Sequence, residues 1–270
     1  MSTSSAPGAA RSSLQAGKAA NDSAPLIQFD KVSKSFQRHG GQSLLRHALA
    51  WMLGRTGAEP FYALRDVSFQ LAPGESLAII GRNGAGKSTL LSLVAGLCEA
   101  ERGSVLVRGT VGALLELGTG FHPDLTGREN LHLNAALVGF SRRETQEVEG
   151  DIVTFAELGE FIDEPLRTYS QGMSMRLAFS IAVHSKPDIL MVDEVLAVGD
   201  ARFQERCRER IFALRDAGCT FLFVSHSPRD VTEFCRRAIW LHEGRIVRDG
   251  DAATVLAEYQ RNGDHLNASG

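Results

Sequence analysis

Apolar order first emerges at LIQFDKV (26–32), and VSFQL (67–71) alternates apolar and polar positions in the same way. A two-residue period places one face on a core, so these segments read as antiparallel strands at an edge. Three later runs differ: SLAII (76–80), ILMVD (189–193) and TFLFVS (220–225) are continuously apolar and are separated by helical segments. Strands of that kind are covered on both faces, which predicts a parallel sheet with helices packed on either side. The expected fold class is α/β, a mostly parallel core sheet with an added antiparallel β portion.

Between the first two strands lies QRHGGQSLLRHALAWMLGRTGAEP, long for a connection inside a compact domain. Ser43 is placed to cap a helix over 43–53 whose Leu44, Leu45, Ala48, Leu49 and Met52 make one apolar stripe, with Gly54 to end it. That stripe fits a helix packed on its own sheet and a docking element equally well. The first two dozen residues are rich in Ala, Ser and Gly, hold no continuous apolar segment of the kind a secretory signal needs, and read as a disordered tail. The longest apolar run, LLSLVAGL (90–97), falls well short of the ~18 residues that cross a bilayer.

Composition narrows the partners. With 270 residues, 43% hydrophobic and 23% charged, the chain can build one large core or two small ones. A net charge of -3 gives no chain-wide basic field, so nucleic acid is not the expected partner. Cys98, Cys207, Cys219 and Cys235 form no C-x-x-C pair and sit in apolar or helical-looking stretches, which favours buried thiols in a reducing compartment over a metal site or a disulfide.

The strongest chemical signal is SLAIIGRNGAGKSTLL, in which Gly81-x-x-x-x-Gly86-Lys87-Ser88 follows a strand and opens a helix. This is a P-loop in its required context. Backbone N–H groups of the loop, which also includes Asn83, Gly84, Ala85 and Thr89, face phosphates; Lys87 reaches the β and γ oxygens, and Ser88 can ligate Mg²⁺. A second element, DILMVDEVLAVGD, ends an apolar strand in two acids. Asp193 is expected to hold Mg²⁺ through water, and Glu194 to orient and deprotonate the attacking water. His226, at the end of the third apolar strand, is expected on the γ-phosphate side of the same crevice. In RTYSQGMSMRLAFSIAVHSKPDI, Ser170 and Gly172 precede an amphipathic helix, where Ser170 caps the helix or its N-terminus serves an anion.

In this order the elements resemble an ATP-binding cassette (ABC) ATPase over roughly residues 25–255, with a helical insertion at about 40–57, a helical subdomain at about 120–185 and a short tail over 256–270. The resemblance implies a homodimer of cassettes arranged head to tail, each ATP lying between the P-loop of one copy and the signature sequence of the other. Ser170 and Gly172 then act on the partner's nucleotide, Asp200 ends a loop crossing the interface, and Phe36 stacks on adenine, with Phe61 or Tyr62 as the alternative. Two departures stand out. The usual LSGGQ is Tyr169-Ser170-Gln171-Gly172-Met173, and the usual lid glutamine is missing, with Glu116 near its place and a carboxylate oxygen available for the Mg²⁺ contact.

Both departures, with LLELGTGFHPDLTGREN, YSQGMSMRLAF, VDEVLAVGD and FVSHS, are similar to a narrower group: ATP-binding subunits of exporters for O-antigen, capsule or teichoic acid chains. That implies an ATP-hydrolysing motor on the cytoplasmic face of the bacterial inner membrane, bound to a separate permease, with the 43–53 helix beside the channel entrance. Some members carry a C-terminal carbohydrate-binding domain; none is expected here, so cargo selection is expected elsewhere. Gly118, Gly120, Pro123 and Gly127 are expected to form the turns of a hinge between the nucleotide core and the helical subdomain. A drug or lipid exporter fits the GTGFHP loop and the insertion less well. A non-transport ABC ATPase lacks its usual coiled coils or paired cassettes here, and a P-loop GTPase lacks its N-K-x-D motif.

Overall fold

The structure, a computed structural model, describes residues 24–36, 61–114, 117–193, 199–225 and 227–263. The helix expected over 43–53 and nearly all of the opening tail lie outside those residues.

Strand β1 (Ile27–Phe36) pairs antiparallel with β2 (Phe61–Leu71) on one side and with β4 (Arg102–Val107) on the other. The alternation read from sequence puts Ile27, Phe29 and Val32 opposite Leu71, Phe69 and Val67, all buried, and the rings of Phe29 and Phe69 stack 4.7 Å apart. A second sheet runs in the order β5-β6-β7-β3-β8-β9, formed by β3 (Ser76–Ile80), β5 (Val111–Ala113), β6 (Ile189–Asp193), β7 (Thr220–Val224), β8 (Arg237–His242) and β9 (Arg245–Asp251). Every neighbouring pair in it is parallel except β8–β9.

The three continuously apolar strands lie together at the centre of this sheet, and the two-residue period divides their side chains between two cores. Leu77, Ile79, Met191, Leu222 and Val224 face the antiparallel sheet and helix α1 (Lys87–Val94). Ala78, Ile80, Leu190, Val192, Phe221 and Phe223 face the opposite layer of helices.

Three helices follow the P-loop half: α2 (Gly127–Leu137), α3 (Arg142–Ala156) and α4 (Gln171–His184). Capping boxes start the first two, Thr126 with Glu129 and Ser141 with Glu144, so their N-termini are set by local sequence. Leu131, Ala135, Ile152, Ile162, Leu177 and Ile181 give this group a core of its own. Helix α4 belongs to both units, because Leu177 and Ile181 enter that core while Phe179, Ala182 and Val183 enter the main one.

Two expectations need correction. Gly127 is not a turn glycine but the first residue of α2; a Cβ there would lie 2.0 Å from the Tyr169 phenol oxygen, so close approach is what requires glycine. Gly118 and Gly120 do turn the chain through the left-handed region, with φ of 85° and 88°. The break placed at 255 falls inside a helix, because after α5 (Ala201–Asp216) and α6 (Pro228–Phe234) the chain ends its described part in α7 (Ala252–Gly263). Val255 and Leu256 are buried in the main core and Tyr259 meets Trp240 edge-on at 5.6 Å, so the packed unit runs past the expected tail boundary.

Candidate functional site

Strand β3 releases the chain at Ile80 and α1 takes it up at Lys87, leaving Gly81–Gly86 as a loop over the carboxyl edge of the sheet. Gly84 and Gly86 adopt φ of 81° and 107°, outside the range ordinary residues use. Close packing adds a second constraint: a Cβ on Gly81 would stand 2.2 Å from the Leu241 carbonyl oxygen, and one on Gly86 2.3 Å from that of Ala63. The buried Ala85 sits beneath the loop, its carbonyl accepting from Gly244 N–H at 3.0 Å.

Gly86 is the N-cap of α1, has no side-chain cap and is followed by no acid in the first turn. The orphan N–H groups and the positive end of the helix dipole are thus turned toward an anion. Lys87 is 8% exposed, and its Nζ donates to the carbonyls of Gly81 at 2.7 Å and Arg82 at 3.1 Å, which holds the ammonium inside the loop. This cradle fits a phosphate chain.

A cleft of about 420 Å³ opens over the loop and is lined by Asn83, Gly84, Gly86, Lys87, Ser88 and Thr89. Asp193 lines it as well, arriving from β6, two strands away from β3 across β7. A serine hydroxyl and a carboxylate are oxygen donors suited to a hard divalent cation whose other ligands are phosphate and water. At the outer end, Phe36 and Phe61 face each other across the β1–β2 pair, 47% and 39% exposed, and both line the cleft. Tyr62 does not line it, and packs under the Arg65 guanidinium at 4.5 Å. Glu116, Glu194 and His226 lie outside the described residues. Of their neighbours, Asp193 ends β6 in register with Val224, and Ser225, buried, accepts from the Ser227 N–H at 3.0 Å.

Ser170, Gly172 and Asp200 belong to a second cleft, of about 590 Å³, which shares no lining residue with the first. Ser170 caps α4, its Oγ accepting from Met173 N–H at 3.2 Å. Tyr169, just before it, donates its phenol hydroxyl to the Phe161 carbonyl at 2.6 Å; burial first, then Asp163 and Glu164, push that phenol up to about 12. Asp200 caps α5 with one oxygen, accepting from Phe203 N–H at 2.9 Å, and with the other accepts from Arg176 at 2.7 Å. Those contacts, the Phe203 amide foremost, hold the Asp200 carboxyl below the usual range. The chain thus carries two separate clefts, one shaped for phosphate and one at a helix N-terminus.

Sequence reasoning missed Arg176 and Glu157, which lie in this second region. Arg176 donates to Glu157 at 3.0 Å as well as to Asp200, and only the folded chain brings residues 157, 176 and 200 together. Ala63, which both receives the bare α-carbon of Gly86 and lines the first cleft, was also invisible, since nothing in an alanine signals a contact.

A glycine-rich loop leading from a central parallel strand to an uncapped helix, with a buried lysine and an acid two strands away, defines a P-loop nucleoside triphosphatase. A family profile described as ABC transporter matches residues 64–197. The O-antigen export system ATP-binding protein RfbB of Klebsiella pneumoniae is 46% identical over 245 residues, 88% of this chain and 98% of that protein. The teichoic acids export ATP-binding protein TagH of Lactococcus lactis is 43% identical over 201 residues, covering 74% of this chain and 43% of its own length. A dimeric ATP-binding cassette solved in a post-hydrolysis state with ADP and Pi shares the fold, with a TM-score of 0.66 at 23% identity over 84% of this chain and 98% of that one. The chain belongs to the ABC transporter family and is an ATP-binding ATPase. Among the described residues no helix is long and apolar enough to cross a membrane.

Proposed function

We propose that this chain is the motor subunit of an exporter that moves polysaccharide or polyol-phosphate chains, of O-antigen, capsule or teichoic acid type, across the bacterial cytoplasmic membrane through a separate permease. What carries the reading is the 46% identity to an O-antigen export ATP-binding protein along 98% of that protein's length, on a chain whose phosphate cradle is complete. The subunit is peripheral, held at the cytoplasmic face by the permease.

Two copies pair head to tail, so that the Lys87 cleft of one meets the Ser170–Gly172 cleft of the other. Separation of the two clefts within one chain supports this arrangement. The P-loop amides and Lys87 hold the β and γ phosphates, and Phe36, with Phe61 opposite, stacks on adenine. Ser88 and, through water, Asp193 would hold Mg²⁺, with Glu116 as a further oxygen donor, and the bound ion would supply positive charge beside the phosphate oxygens. Glu194 takes the proton of the attacking water, and His226 contacts the γ-phosphate.

The permease meets the surface made by the turn at 117–122 and the outer face of α2. Leu133, Leu137 and Val138 are 42%, 67% and 41% exposed there, an apolar group that water does not favour. A Cβ on Gly120 would stand 3.1 Å from Leu137 Cδ1, so turn and helix form one surface. That surface connects to the signature end of α4 through the small core of the helical group, which is how closure on ATP reaches the membrane partner.

Steady-state hydrolysis and titration with a fluorescent ATP analogue test the roles. Glu194→Gln is expected nearly to abolish turnover with binding intact, and Lys87→Ala to weaken binding itself. Undiminished hydrolysis by Glu194→Gln removes that residue as the base.

A further inference from the structure

Arg176 lies on α4, six residues beyond Ser170, and the established chemistry gives it no task. Its guanidinium is one-fifth exposed and bridges two acids from different parts of the chain, donating to Glu157 at 3.0 Å and to Asp200 at 2.7 Å. Glu157 closes α3 in the left-handed region and also takes Arg206 from α5. The Arg176 guanidinium further lies over the Phe203 ring, 5.1 Å from its centroid. Gly199 turns the chain with φ of 71° beside it, and a Cβ there would meet both Arg176 Nε and Phe203 at 3.3 Å. One planar cation therefore fixes the last turn before α5 against the helix that carries Ser170 and Gly172.

We propose that Arg176 is a positioning residue that makes Ser170–Gly172 and Gly199–Asp200 a single rigid unit, presented together to the nucleotide held by the second copy. The inference rests on the proposed head-to-tail pairing. The two-pronged geometry calls for arginine, because a lysine ammonium cannot reach two carboxylates in one plane with the same fixed angles. Asp200 divides its oxygens between the two jobs, Oδ1 to the α5 cap and Oδ2 to Arg176, so the cap and the coupling can be broken separately. On the Asp200 side the pair is open to solvent, that carboxylate being 62% exposed, so its loss alone costs little stability. A purely structural role predicts turnover that falls only as far as melting does, whereas positioning predicts lost turnover in a protein that still folds.

The test measures ATP turnover, ATP affinity and thermal melting for Arg176→Ala, Arg176→Lys, Asp200→Asn and the Arg176→Ala/Asp200→Asn pair, with Ser170→Ala alongside. Asp200→Asn keeps one oxygen for the Phe203 N–H and turns an NH2 donor toward the Arg176 guanidinium, so the cap can survive while the coupling is lost. The expected result is a fall in kcat of about tenfold or more for Arg176→Ala and for Asp200→Asn, with ATP affinity within about twofold of the parent. The pair falls no further than either single change, because both break one link, and Arg176→Lys recovers part of the rate. Parental kcat in Arg176→Ala, or losses that multiply in the pair, overturn the proposal while a Ser170→Ala defect leaves the pairing standing. Full turnover by Ser170→Ala overturns the head-to-tail reading, and this proposal with it. If Arg176→Ala does not fold, Asp200→Asn and Arg176→Lys decide by the same criterion.

Discussion

Gly86→Ala adds one methyl group at the point where the phosphate loop crosses the end of strand β2. The native φ of 107° is costly for any side chain, about 1–2 kcal/mol by the left-handed penalty alone. The new carbon would stand 2.3 Å from the Ala63 carbonyl oxygen and 2.9 Å from Leu64 Cδ2. An unstrained carbon–oxygen contact is about 3.3 Å or longer, so the overlap is roughly one ångström. Ala63 lies within β2, next to Leu64, which pairs with Lys34 of β1, so the carbonyl is held by the sheet and the loop must move instead. That displacement carries Lys87 and the first amides of α1 away from the phosphate positions. Losing one hydrogen bond to a charged group costs about 1.5–3 kcal/mol. ATP affinity is therefore expected to fall about 10- to 150-fold. Melting should also drop by several degrees, since each kcal/mol shifts the midpoint roughly 2–4 °C at this chain size. Gly96→Ala is the matched control: its φ is 70° but nothing lies within 4 Å of the added carbon, so it bears backbone strain without collision and keeps parental affinity. Calorimetric titration with ATP measures both. Parental affinity in Gly86→Ala, or equal loss in the two variants, refutes the reasoning.

Tyr169→Phe removes the hydroxyl that donates to the Phe161 carbonyl and should cost about 1 kcal/mol in denaturant melts. Gly127→Ala should be far worse, and Tyr169→Phe should partly suppress it, because the phenol oxygen is the nearest obstacle at 2.0 Å; absence of suppression contradicts the close-approach account. Burial pushes the thiols of Cys207 and Cys235 up to about 12 and that of Cys219 up to about 11, while Cys98 is half-buried. A disulfide reagent at neutral pH should therefore label Cys98 first in the native protein and all four thiols after denaturation; rapid native labelling at the buried three is the contrary result. Asp251 accepts from Thr254 N–H, which holds its carboxyl below the usual range. The cap stabilises above the unfolded-state value of about 3.9 and is lost as pH falls through the folded one, so the melting gap between parent and Asp251→Ala should close in acid.

Legibility followed the range of the interactions. SLAII, ILMVD and TFLFVS identified themselves as central strands because residues buried on both faces leave a continuous apolar run, and they are β3, β6 and β7. Strands β4, β8 and β9 went unread: β4 and β9 are edge strands with mostly exposed or charged positions, where neighbours rather than pattern dictate the conformation, whereas β8 holds a buried apolar run, AIWL, that the same pattern could have revealed. The phosphate loop was legible because its glycines, lysine and serine act within eight consecutive residues. The tie between Arg176, Glu157 and Asp200 was not, because no periodicity records a contact made by three elements. Gly127 shows the same boundary in one residue, since a glycine required by a distant tyrosine looks like a turn glycine until the chain is folded.

Polysaccharide export by this motor can be measured in inverted membrane vesicles from cells making a lipid-linked polysaccharide. Their permease is supplied with purified chain or with its Lys87→Ala variant. ATP-dependent uptake of the polysaccharide is expected with the parent chain and none with Lys87→Ala. Vesicles in which the chain binds the permease and hydrolyses ATP, yet polysaccharide moves equally well with either protein, would contradict an export role.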